Sequence, residues 1–510
     1  MKNKTFGAEI EKPIASSINQ TSHWVSQEFF KKLALQSKKR KVKYQFHNSD
    51  LQSEVILGVG SDDIGEQGID HGFNILETSS RVCNSLSELE KVLKQDLQQT
   101  QELLKKENAT IINSSIHPLI KTDLESYQKY AAPKGVYPYL FARGWDFLAS
   151  IDAKSQNSPS TGVDVYRAAD ALSVILGAGA AFIALFANSP FAEGKFSGYK
   201  ESRVLMWERV MKFSKSEGDR KVVRFPKHRF ETLAQYFNWM FGKGTNIVFV
   251  LDTQVENRND YKGIGDRLLI VDKNPSVLEF LSQTSWDAYY FTDLFKGFPF
   301  NRLVKVKPKI NDLEVLQFAQ FIGARIRFKL KNHSKFPVKD FLNACNQPEK
   351  KKIEDIFSKF AEFTYIEGRD PGANFPDKET RAAGEEIAES VMISPSAIQA
   401  GLINNLDKAL GYILKYKWED LGLLRDAAIK KGLEGKVGNI SVKKFTKELL
   451  EIAAAGLAKN EQRMLNFPRW ILKTNKNNAD RAIDFVNGQT KTKSVEEALK
   501  ELIKSREIKV

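Results

Sequence analysis

"FGAEIEKP", Phe6–Pro13, places two carboxylates two residues apart inside an otherwise apolar stretch. In an extended strand, residues i and i+2 share a face. Ile10 then faces a hydrophobic layer, and Glu9 and Glu11 both face the other side. Like charges held that close repel, and one pKa rises unless a cation lies between them. Mg²⁺ suits such a place, because it prefers hard carboxylate oxygens together with substrate phosphates. An exposed strand face with two solvated acids has the same pattern, so the pair alone leaves both readings open.

Two further stretches repeat the theme. "IDHGFNILETSS" carries Asp70 and Glu77 around an apolar segment, and "TYIEGRD", 364–370, alternates Glu367 with Arg369. An acid for a metal beside an arginine for a phosphate oxygen is a sensible nucleotide-site pairing. A surface ion pair, worth little, is the alternative.

Around these strands the pattern predicts an α+β chain. "SEVILGVG", "ATIINSSIHPL" and "TNIVFVL" read as strands. "SLSELEKVLKQDLQQTQELLKKENA", 85–109, reads as a helix with Ser85 or Ser87 as N-cap. "DVYRAADALSVILGAGAAFIALFA" reads as one long helix. After about residue 400 the sequence is a series of helical hairpins, from "SPSAIQAGLINNLDKALGYIL" to "SVEEALKELIKS". The expected division is a catalytic domain over 1–400 with a helical region, 401–510, packed on it. The fold expected is an antiparallel-rich α+β core with a helical C-terminal layer.

Composition narrows the classes. The chain has 510 residues, 42% of them hydrophobic, and two distant cysteines, Cys83 and Cys345. That excludes a disulfide framework or zinc cluster and fits a reducing compartment. No apolar secretory segment opens the sequence, and 171–191 is Ala- and Gly-rich, a buried helix rather than a span. A cytoplasmic protein without a membrane partner is expected. The net charge of +14 makes nucleic acid or an acidic surface a candidate partner, with "SKKRKVKY", 37–44, as the densest basic run. There is no Walker A motif, and the six histidines show no metal-ligand spacing. His117, before a proline, reads as a structural histidine.

The most distinctive stretch is "LFANSPFAEGKFSGYKESRVLMWERV", 185–210. An apolar helix stops at Asn188-Ser189-Pro190, and a Gly-containing loop follows with Lys195, Tyr199 and Arg203. Pro and Gly give such a loop a defined shape. Lys, Tyr and Arg together suit an anionic substrate.

"FANSPFAEGKFSGYKESRVLMW" strongly resembles the signature of glutamate–cysteine ligases, the plant and proteobacterial type. "GAEIEK" resembles the family's opening metal-binding strand, and "IDHGFNILET" its second, with two acids seven positions apart. "SSIHPL" is similar to its strand end, "YIEGRD" to its late Glu-x-Arg strand, and "WEDLGLLRDAAIKKGL" to its helical tail. The resemblance implies a glutamine-synthetase-like funnel of curved antiparallel sheet flanked by helices. It implies ATP, Mg²⁺ or Mn²⁺, and formation of a γ-glutamyl amide through γ-glutamyl phosphate, with cysteine as the amine. By the same resemblance Glu9, Glu11, Asp70, Glu77 and Glu367 are the metal set, and Arg369 contacts the γ-phosphate. Arg203, with Tyr199 and Lys195, holds a substrate carboxylate or phosphate. His117 and Asn188 fall near the acceptor pocket.

One departure stands out. Where the family carries a polar Gln or His, "LASIDAKSQNSPSTG", 148–162, offers Asp152 and Lys154. Two charges there put the acceptor in doubt, so another amine or a macromolecule is the alternative substrate. A ligase-derived basic binding protein is the alternative of a different class.

Overall fold

Phe6–Ser16 forms the central strand, β1, and its alternation sets the sheet. Phe6, Ala8 and Ile10 are buried, while Gly7 and Glu9 between them are partly exposed. The computed structural model describes residues 4–36, 41–46, 54–134, 136–150, 155–251, 268–291, 303–319 and 321–508. Asp152 and Lys154 lie outside the described residues. Of the basic run 37–44, residues 37–40 lie outside them too, and 41–44 belong to a strand.

The main sheet has nine strands, paired antiparallel and curled into a half-barrel. They are β1, β2 (Lys41–Phe46), β3 (Glu54–Ser61), β4 (Gly65–Ile69), β5 (Ile75–Ser80), β6 (Ala109–Ile111), β7 (Asn157–Gly162), β8 (Ala324–Leu330) and β9 (Ala361–Gly368). Their order is β8-β9-β7-β1-β5-β4-β3-β2, with β6 on the far end of β1. The fold class is thus α+β. Val250–Leu251, Leu268–Val271, Trp286–Tyr290 and Val304–Val306 form a separate four-stranded sheet.

Helices cover one face of the main sheet. Helix α1 (Leu86–Lys105) is capped by Ser85, whose side chain accepts from Glu88 N. It is fastened to the sheet by an ion pair buried on both sides: Lys12 Nζ lies 2.9 Å from Asp96 Oδ2. Thr78 and Gln67 donate to the same carboxylate at 2.7 and 2.9 Å. A buried pair needs such extra donors, because desolvation opposes it. Lys12 thus sits on the helix side of β1, and Glu9 and Glu11 take the opposite parity.

Three expectations about elements are corrected. The long helix over 164–187 is two, α2 (Ala168–Gly177) and α3 (Gly179–Phe186), with Val165–Gly177 and Gly179–Phe186 bent by 47° to one another. The bend lies where Asp370 and Arg425 arrive as an ion pair, 2.7 Å apart. A Cβ at Gly179 would sit 2.5 Å from the Asp370 carboxylate. Every side chain of α3 is buried in protein. No single helix among the described residues is long and apolar enough to cross a membrane.

The strand expected over 109–119 ends at Ile111. Beyond it Asn113 N donates to Arg506 O and Ser115 N to Asn188 O, each at 2.9 Å. The strand expected over 245–251 is reduced to Val250–Leu251, since Ile247 N is taken by Pro275 O at 2.8 Å and Val248 O by the Tyr139 hydroxyl. The later helices include α4 (Leu233–Phe241), α5 (Ser394–Asn404), α6 (Trp418–Lys431) and α7 (Val442–Ala455). One hydrophobic cluster runs from Phe6 through these helices to Ile508.

Candidate active site

The face of the sheet turned away from α1 carries the charged residues, and strand register puts them in rows. Glu9 stands opposite Ser79 on β5 and Ser158 on β7, and Glu11 opposite Glu77. Glu367 on β9 stands opposite Ser160 on β7 and Arg325 on β8, and Tyr365 opposite Arg327. Because side chains alternate along each strand, these residues share one face.

The β8–β9 end is cationic. Arg325 Nη2 lies 2.7 Å from Glu367 Oε1, Arg369 Nη1 lies 3.1 Å from the same oxygen, and Arg327 Nε lies 3.8 Å from Oε2. Burial alone would raise the Glu367 pKa, but the Arg325, Arg369 and Arg327 guanidiniums outweigh it and hold the group at about 2. The Arg369 guanidinium lies 5.7 Å from the centroid of Trp207 and 5.9 Å from that of Phe321. Those two rings stack on each other 4.1 Å apart, so Arg369, nearly equidistant from both centroids, lies beside the stacked pair.

The β1–β5 end is acidic. Burial, then the charge of Glu367, then that of Glu77, push Glu9 up to about 7. Glu77 accepts from Ser79 Oγ at 3.4 Å. Asp70 follows β4 directly, and its backbone carbonyl accepts from the Lys134 ammonium. Glu11 is 7% exposed and accepts from Gln156 N at 3.0 Å and Gln156 Nε2 at 3.3 Å.

Among the described residues, no group of three or more His, Cys, Asp or Glu side chains is arranged to hold a metal ion. The donor chemistry at Glu9 nevertheless fits a hard cation. This carboxylate is held close to two others, and Glu367 Oε2 and Ser158 Oγ are buried without a hydrogen-bond partner among the described residues. A divalent ion and phosphate oxygens are what such orphaned groups lack.

The anion-loop expectation does not match the geometry. Arg203 is 1% exposed and spends its guanidinium inside the protein. It lies 2.7 Å from Glu201 Oε1 and donates to Gln156 Oε1 at 3.2 Å and to the Arg369 and Asp370 carbonyls at 3.3 and 2.9 Å. Four of its five N–H donors are engaged inside the protein, so Arg203 acts as a strut that reaches Glu11 through Gln156. Lys195 is exposed on the small hairpin Phe191–Ala192 and Lys195–Phe196. Tyr199, in the turn beyond, packs partly buried against the core.

Asn188 is likewise structural. Its amide donates to Asn113 Oδ1 and Ala373 O, each at 2.9 Å, and accepts from Arg506 at 2.6 Å. His117 Nδ1 accepts from Leu119 N at 3.3 Å, and burial pulls its pKa down to about 4 against the Gln20 and Thr21 backbone. A buried neutral histidine of this kind fixes a turn.

The sequence reading passed over Arg325, Arg327 and Gln156. "ARIRFKL", 324–330, does alternate Arg with apolar residues, the signal that could have found the first two. Nothing local marks Gln156, whose role depends on Glu11, 145 positions away.

Residues 5–241 match the family model of glutamate-cysteine ligase family 2 (GCS2). No curated protein matches the chain. Among solved structures it is similar to a glutamate–cysteine ligase from Francisella tularensis in complex with AMP, at 12% identity and a TM-score of 0.39, over 98% of this chain and 87% of that one. It is also similar to a bifunctional glutathione synthetase from Pasteurella multocida, at 12% identity and a TM-score of 0.43, over 98% of this chain and 52% of that one.

Proposed function

From the match of residues 5–241 to glutamate-cysteine ligase family 2, we propose that this protein is an ATP-dependent carboxylate–amine ligase, with glutamate as the acid and cysteine as the simplest amine. The observation that carries this reading is the division of one sheet face into a cationic end, at Arg325, Arg327 and Arg369, and an acidic end, at Glu9 and Glu77. Phosphoryl transfer needs both: arginines for charge on the transferring phosphoryl group, and carboxylates for the cations that accompany ATP.

In this reading the side-chain carboxylate of glutamate attacks the γ-phosphorus of ATP, and ADP leaves. The amine then attacks the acyl carbon, and phosphate leaves with the amide formed. Arg369, beside the stacked Trp207 and Phe321 rings, contacts the γ-phosphate. Arg325 and Arg327 stand ready for the remaining charge. Glu9 and Glu77, with the orphaned Glu367 Oε2, would hold Mg²⁺ or Mn²⁺. The ions, when bound, neutralise phosphate oxygens.

Two further parts of the reading rest on the same molecule. The continuous core from Phe6 to Ile508 supports a catalytic domain over 1–400 with 401–510 packed on it. The free thiols of Cys83 and Cys345, both buried, support a cytoplasmic setting.

The test is mass spectrometry of a reaction with ATP, Mg²⁺, glutamate and pooled amino acids and amines. γ-Glutamylcysteine with ADP and phosphate is the expected product set. Another γ-glutamyl amide would change the acceptor and keep the chemistry. Absence of any glutamate-dependent ADP would overturn the reading.

A further inference from the structure

Away from the sheet face, an open groove of about 1150 Å³ lies between residues 221–239 and the segment 413–418. It shares no lining residue with the candidate active site. One side is basic: Arg224 and Lys227 are exposed and form no ion pair among the described residues. Arg229 is offset by Glu231, 2.6 Å away, the one carboxylate lining the groove. Lys221 Nζ lies 5.1 Å from the centroid of Trp239 and donates to Thr245 Oγ1 at 3.0 Å.

The other side is aromatic and fixed in place. Trp418 Nε1 donates to Pro226 O at 2.7 Å, and Phe225 packs 4.9 Å from the Trp418 ring at 31°. With its polar atom engaged, the indole has little freedom to turn. Tyr416 is half-buried on the same side, and Trp239 is half-buried on the basic side under Lys221.

Flat fixed rings facing unpaired cations select for a ligand with a planar ring and several negative charges. A neutral aromatic molecule leaves the cations unused, and an aliphatic anion leaves the rings unused. Small-ligand pockets are roughly 300–1,000 Å³, so the groove has room for more than one such moiety. We propose that the groove is a second nucleotide site, which stacks a nucleobase on its Tyr416–Trp418 side and holds its phosphates with Arg224 and Lys227.

The test is photolabelling of the full chain with 8-azidoadenosine triphosphate, followed by peptide mapping. Label is expected on peptides carrying Tyr416 or Trp418, with protection by ATP stronger than by tripolyphosphate or adenosine. The double variant Arg224→Glu/Lys227→Glu changes only exposed side chains. It should weaken groove labelling about tenfold, as for the loss of charge-assisted phosphate contacts, and leave ligase turnover unchanged. Label confined to other peptides, or equal groove labelling in the variant, would overturn the proposal. So would protection by a short single-stranded oligonucleotide better than by ATP, which would make the groove a nucleic-acid surface. Groove labelling is read without any product, so its failure is distinct from failure of the ligase reading.

Discussion

The two ends of the charged sheet face carry the same residue type under opposite conditions. Glu367, among three arginines, is held at about 2, and Glu9, beside other carboxylates, is pushed to about 7. Both are strand glutamates with a charged residue two positions on, Glu11 after Glu9 and Arg369 after Glu367. The difference comes from what offsets burial: β8 delivers Arg325 and Arg327 beside Glu367, whereas at Glu9 burial is reinforced first by Glu367 and then by Glu77 on β5. A glutamate held down by arginines is a structural hub, and a glutamate raised by acids is a place with unmet need for a cation.

Removing the hub has the largest effect. Glu367→Gln leaves Arg325 and Arg369 without the carboxylate they share and should cost roughly 3–5 kcal/mol in chemical denaturation, with loss of ATP turnover. A loss below 1 kcal/mol would mean that the arginines do not depend on Glu367, and the contrast between the two ends would fail.

Glu9→Gln should act the other way. Turnover is lost, but in metal-free buffer the variant should be as stable as the parent at low pH and more stable at high pH. The sign follows from the raised pKa. Stability from protonated Glu9 is present in full below the ordinary value of 4.5 and is lost as pH rises through about 7. The parent chain should therefore lose on the order of 2 kcal/mol across that window that the variant keeps. Parallel pH curves for the two proteins would remove the claim that Glu9 is held against its own charge.

The strut between the ends gives a smaller effect. Gln156→Ala takes one partner from Arg203 and one from Glu11, and should cost about 1–2 kcal/mol. At the small end, Lys195→Ala on the exposed hairpin should stay within about 0.5 kcal/mol and keep full turnover. A collapse of turnover in Lys195→Ala would return that loop to the substrate site.

Some of this was readable in the sequence and some was not. β1 was legible because Phe6, Ala8 and Ile10 alternate with polar positions, and α1 because Ser85 precedes a regular apolar period. Arg203 reads locally as a ligand residue because its setting is a polar loop after a proline, whereas the structure buries it among internal partners. Its true partners, Gln156 and the carbonyls of Arg369 and Asp370, are distant in sequence. The helix break at Ala178 was hidden for the same reason, since Asp370 and Arg425 cause the crowding there. Periodicity reports what a residue's own element needs and is silent about charges arriving from elsewhere.

The position of β1 also has a consequence for synthesis. It is made before its partners β5, β6 and β7, and the arginine end closes only with β9, which ends at Gly368. At ribosomal rates of roughly 5–20 residues per second, the interval from the end of β1 to the end of β7 is about 7–30 s. Through that interval the apolar row of Phe6, Ala8 and Ile10 emerges before the strands that flank it, with unpaired backbone on one edge or both. The nascent chain therefore has a window of roughly 7–30 s in which β1 is exposed to aggregation, and a chaperone that binds extended apolar peptides would find a target around Phe6–Ile10.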